Sequence, residues 1–68
     1  MTVGSQVKQT SASLKGVKAT LDIYSAQSVT EEDRQLFQTN SAKVDRVIKV
    51  LEQRISSLEF EEPQYKGF

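Results

Sequence analysis

Residues 30–62 carry one long helical pattern with a marked start and a hard stop, and this stretch limits the fold more than any other. Phe37, Ser41, Val44, Ile48, Leu51, Ile55 and Leu58 recur at alternating steps of four and three, the spacing that holds one helix face against a partner. Leu36 and Val47 widen that stripe on one flank. Thr30 can accept an orphan backbone N–H at the first turn, and Glu31, Glu32 and Asp33 place negative charge where the helix dipole favours it. Pro63 lacks an N–H and disfavours helical geometry in Glu62, so the helix is expected to end there. A helix with such a seam must be covered by something.

A chain of 68 residues forms one domain with a small core, and chains this short need a disulfide, a metal or association to be stable. There is no Cys and no His, which excludes disulfides and the commonest transition-metal ligands and leaves oligomerisation. The missing Cys is compatible with a reducing compartment. Nine basic and nine acidic residues cancel, so no nucleic-acid partner is expected. Residues 1–29 hold Lys8, Lys15 and Lys18 against Asp22, a net of plus two, and residues 30–68 hold six bases and eight acids, a net of minus two. Helices of opposite sign attract weakly, and salt screens much of that attraction. No apolar run approaches a membrane span and no signal-peptide apolar region is visible. A soluble chain retained where it is made is expected.

The first segment predicts a helix over about residues 3–28. Val3, Val7, Thr10, Leu14, Val17, Leu21, Tyr24 and Ser28 repeat the alternation of four and three, more weakly than in the second helix. Gly16 costs roughly 1 kcal/mol of helix propensity relative to Ala and invites a reason. On the opposite side, Ala12, Gly16, Ala19, Ile23 and Ala26 form a second stripe. Either these small residues admit another backbone, as a second interface, or they form a solvent face rich in the best helix former. The connection before Thr30 is too short for anything but antiparallel helices, and Val29 is placed to staple onto Arg34 carbons or the neighbouring apolar ridge. The second helix should overhang the first and leave Ile55 and Leu58 for a partner or the tail. Lys43, Asp45, Arg46, Lys49, Glu52 and Gln53 read as a solvated face, with Asp45 and Lys49 paired at i,i+4.

The closing stretch changes character: Phe60, Glu61, Glu62, Pro63, Tyr65 and Phe68 bring acids and aromatics together. A docking peptide anchored by Tyr65 and Phe68 would use them. A frayed terminus, or aromatics folded back over Ile55 and Leu58, are the alternatives.

Catalysis finds no support. Without His or Cys no usual nucleophile–base pair can be written, and the three Gly are isolated, so no phosphate loop exists. Glu31 with Asp33, or Glu61 with Glu62, are better explained as dipole and solubility residues than as cation ligands. Neither catalytic residues, metal site nor cofactor is expected. Lys8, Lys15 and Lys18 could touch phosphates, but three charges without interleaved aromatics make a weak footprint.

The two ends of the chain carry a resemblance. The opening Met1-Thr2-Val3-Gly4-Ser5-Gln6-Val7-Lys8-Gln9-Thr10, then Ala12-Ser13-Leu14-Lys15-Gly16, then Gln35-Leu36-Phe37 and the closing Glu61-Glu62-Pro63-Gln64-Tyr65-Lys66-Gly67-Phe68 resemble a family of very short proteins from endospore-forming bacteria, catalogued as domain of unknown function 1657. Members often carry Pro where this chain has Gln53, and a Gln/Ala-rich stretch at 40–43. The resemblance implies a setting more than a mechanism: similar proteins occur near genes for spore membrane proteins, which suggests sporulation, a spore-interior or cytoplasmic location and a spore membrane protein as partner. It carries over no catalytic residue.

The expectation is therefore an all-α antiparallel helical hairpin over residues 1–62 (helices about 3–28 and 31–62) with a tail at 63–68. It should self-associate, most simply as a dimeric four-helix bundle. Its core and oligomer interface should be Val7, Leu14, Val17, Leu21, Tyr24, Phe37, Val44, Ile48, Leu51, Ile55 and Leu58, with Ala12, Gly16, Ala19 and Ile23 as a second interface. A non-enzymatic structural or adaptor role is expected, and a peripheral membrane module whose second helix opens onto lipid is the alternative.

Overall fold

A computed structural model describes residues 3–61, and side chains through Glu59. The chain is an all-α helical hairpin: α1 spans Val3–Gln27 and α2 spans Glu31–Glu61. The two helices pack along their length as a single layer, 49 × 16 × 11 Å.

The turn is built by side chains. Ser28 N–H donates to Ser25 O at 3.2 Å and Ser28 Oγ to Tyr24 O at 2.7 Å, which satisfies carbonyls orphaned at the end of α1. Thr30 Oγ1 accepts from Asp33 N–H at 3.1 Å, the expected cap. Arg34 ties the corner from the other side, with Nη1 on Glu31 at 2.6 Å and Nη2 on Ser28 O at 3.4 Å. Val29 is 95 % exposed. The staple expected of it is not made: the three-residue connection turns it outward, and Arg34 spends its reach on Glu31 and Ser28. α2 runs without interruption through Gln53.

On α2 the expected seam is the packed one: Ile48 and Ser41 are buried, and Phe37, Val44, Leu51, Ile55 and Leu58 are half-buried. On α1 the contact is rotated by about one residue, roughly 100°. Val7, Leu14 and Leu21 flank it as expected. Its centre, however, is Gly4, Ser11 and Ser25, with Lys18 completing the spacing of seven, whereas Val3, Val17 and Tyr24 are about half exposed. The reason is bulk. Ser25 Oγ donates to Arg34 O at 3.3 Å, and the register that follows sets Ser11 opposite Ile48 and Gly4 opposite Ile55. A small residue on one helix receives a branched one from the other, as packed interiors require.

α2, with 31 residues against 25 in α1, overhangs α1: with Gly4 opposite Ile55, its last turn runs past Val3. Lys8 still reaches Glu59 at 2.7 Å, and Ile55 and Leu58 are half-buried. If Ser11 sits at the centre of the contact, Ser11→Leu should overpack it and lower the unfolding free energy by about 1–3 kcal/mol. Thr10→Leu, one residue away on an exposed position, should not. Urea unfolding at fixed protein concentration would separate them, and a stabilised Ser11→Leu would disprove the register.

Candidate interaction face

The hairpin has two flanks of opposite character. One is polar. Lys8 pairs with Glu59 and Lys15 with Glu52 at 3.1 Å, over an open cleft floored by Ser11, Ala12 and Ser56. Nearer the turn, Ser41 Oγ, only 4 % exposed as a residue, donates to Asp22 Oδ1 at 2.5 Å. Lys18 Nζ donates to Asp22 Oδ2 at 2.9 Å. The Ser41 hydroxyl, and after it Lys18, hold the Asp22 carboxyl below its ordinary pKa, and the hydrogen bond to Asp22 holds the Lys18 ammonium above its own. The three lysines considered for phosphate contact each meet a carboxylate. Asp45 bonds Lys49 at 3.0 Å, the expected i,i+4 pair. Glu52, expected in the solvated face, instead turns to α1.

The other flank is apolar. Tyr24 and Phe37 meet edge to face, with centroids 5.5 Å apart, and beside them run Leu14, Val17 and Leu21 of α1 and Val44, Val47 and Leu51 of α2. At about 100° per residue these side chains all project to the side opposite Lys15 and Glu52. Val17, Tyr24 and Val47 are 48, 49 and 49 % exposed, and Ile48 at 3 % is the one buried apolar side chain among the described residues. Ten of the eleven expected core residues are thus incompletely covered in a single chain.

Of the expected second interface, Ala12, Gly16, Ala19 and Ile23 are all exposed, and a Cβ at Gly16 would meet nothing within 4 Å. Close packing of α2 therefore does not require that glycine. Glu31 and Asp33 do not converge on a common point: Glu31 holds Arg34, while Asp33 borders the groove beside Tyr24 and Phe37. The docking residues Phe60, Glu61, Glu62, Pro63, Tyr65 and Phe68 have side chains outside the described residues. No described helix is long and apolar enough to cross a membrane.

A family described as Protein of unknown function (DUF1657) matches residues 7–55, the part that holds both flanks except Ser56 and Glu59 of the polar one. The chain belongs to this family. No curated protein and no solved structure matches the chain. For this DUF1657 chain, what the residues can do follows from the two flanks alone. Sequence reasoning missed Ser11, Ser25 and the Ser41–Asp22 link. The signal was present as the spacing of seven through Gly4, Ser11, Lys18 and Ser25, which a search for apolar residues passes over.

Asp22 binds its proton less readily folded than unfolded, so it stabilises the hairpin above the ordinary aspartate pKa of about 3.9. That contribution fades as pH falls through the lowered value. Asp22→Asn should therefore lower the urea midpoint at pH 7, and the gap from the parent chain should narrow as pH drops below about 3.9. A gap independent of pH would show that the link owes nothing to charge.

Proposed function

We propose that this protein is a non-enzymatic structural or adaptor module that acts by self-association, two hairpins packing through their apolar flanks into a four-helix bundle. The observation that supports the reading is the near-absence of a core in one chain. Ile48, the one buried apolar side chain among the described residues, cannot balance an ordering entropy of about 1–2 kcal/mol per backbone residue. Stable domains stack at least two layers of secondary structure, and this hairpin is one layer. A second copy supplies the missing layer with the same side chains, as a two-fold interface does.

The family resemblance adds a setting in sporulation, with a spore membrane protein as the partner of the assembled module. Equal production of the protein in growing and sporulating cells would count against that setting.

The deciding experiment is molar mass by light scattering together with helicity across a dilution series. A dimer that loses helicity on dilution is expected, because folding and association are then one event. A helical monomer stable at low micromolar concentration would overturn the reading, and an open-ended mass would bring the Gly16 face in as a second interface. The membrane alternative draws support from Lys43, Arg46 and Arg54, which pair with no described acid and lie around Val47 and Val50 on α2. It requires the hairpin to sediment with anionic vesicles at low salt, and a dimer that stays in the supernatant sets it aside.

A further inference from the structure

We infer that the second copy docks about a two-fold axis running across the hairpin, so that α1 lies antiparallel on α1 of the second copy and α2 on α2. The inference rests on the self-association proposed above and adds which helix meets which.

Its ground is one column of α2. Asp33, Asn40, Val47 and Arg54 are seven apart, about 100° round the helix from the contact with α1, and so point straight out of the apolar flank. Asp33 lines the groove beside Tyr24 and Phe37, and Val47 is half exposed. Asp33 and Arg54 close the two ends of this column with opposite charges. Among the described residues neither side chain makes an ion pair or hydrogen bond; Glu32, Lys43 and Arg46 share that state, but only Asp33 and Arg54 stand in the outward column. An isologous antiparallel contact of α2 with itself sets Asp33 of each copy on Arg54 of the other and closes both ends.

That docking fixes the rest. Pairing Asp33 with Arg54 puts the axis beside Lys43 and Val44. The height shared by Tyr24 and Phe37 then carries it through α1 beside Val17 and Lys18. The matching outward column of α1 is Val3, Thr10, Val17 and Tyr24. Val17 therefore meets Val17 of the second copy, and Leu14 meets Leu21. One placement thus satisfies the charges of α2 and the apolar residues of α1. Its costs are two: Asn40 of each copy faces Val47 of the other, with the Asn40 amide keeping its bond to Leu36 O, and Lys43 lies near its own symmetry mate, on an exposed rim where water and salt screen the repulsion. The other two-fold axis, parallel to the helices, lays α2 on α1 of the second copy. Asp33 then lies beside Tyr24 and Arg54 beside Val7, with no charge partner for either.

Two measurements test this, and both use the full chain. Because the sequence has no Cys, Val17→Cys introduces a single thiol, and mild oxidation should link the dimer covalently. Val47→Cys should not link, since its mates are offset by roughly 10 Å along the axis, beyond disulfide reach. Separately, Asp33→Arg and Arg54→Asp should each raise the dimer dissociation constant about tenfold, because every reversal acts at both symmetric pairs. The double variant should return to within about threefold of the parent. Asp33→Arg also removes a favourable charge from the first turn of α2, so the thiol result stands as the independent readout. A dimeric parent chain in which Val17→Cys stays unlinked, or in which the double reversal is as weak as the singles, overturns the inference. A monomeric parent chain overturns the self-association reading, and this inference with it.

Discussion

The fold depends on the small, polar contact at the centre of the hairpin. Gly4, Ser11 and Ser25 occupy the positions on α1 that a bundle helix usually fills with Leu or Val. They let α2 come in with Ile48 and Ile55 but remove little apolar surface from water. Burial contributes about 25 cal/mol per Å² of apolar area, so a seam of serines and a glycine adds little to that term. What it provides is fit. Large side chains such as Val17, Tyr24 and Val47 are consequently displaced to one flank, where each stays about half exposed.

The polar flank complements this arrangement. Ion pairs such as Lys15–Glu52, with both side chains about half exposed, contribute about 0–1 kcal/mol each and cannot replace a core. Their value lies in alignment. Lys8–Glu59, Lys15–Glu52, Asp22–Ser41 and Ser25–Arg34 are four cross-helix links at successive heights. A slip of one turn would break all four and bury the Ser41 hydroxyl without an acceptor, which costs more than the bond is worth. The register is thereby specified by polar groups while stability is left to apolar ones.

That division explains how much of the molecule was legible in its sequence. The seam of α2 could be read, because its packed positions are Phe, Val, Ile and Leu at heptad spacing with one Ser, Ser41, among them and because Thr30 announces the first turn. In α1 the alternation picked out Val7, Leu14 and Leu21, which are half-buried, but two columns flank those residues: 3, 10, 17, 24 and 4, 11, 18, 25. Hydrophobicity selects the first, yet the partner helix occupies the second. Bulk and not polarity decides between them, since a residue facing Ile48 or Ile55 must be small. Only a pairing argument between the helices carries that information, and neither helix holds it alone. Val29 failed for a related reason: a staple needs an apolar neighbour, and the residue within reach was an arginine already held by Glu31 and a backbone carbonyl.

Both columns of α1 make sense together. A helix in an isolated hairpin has one neighbour and needs one seam, whereas a helix in a four-helix bundle has two neighbours about 90° apart and needs two. α1 has two: the small column that meets α2, and Val3, Thr10, Val17 and Tyr24 about 100° away, sharing Val7, Leu14 and Leu21 between them. α2 repeats the arrangement, with Ser41 and Ile48 toward α1 and Asn40 and Val47 toward the open side. A second seam on one helix would be unremarkable. Two of them, on both helices and turned to the same flank, form an exposed surface of the kind that marks an interaction site, and the self-association proposed above is the reading in which a second layer covers it.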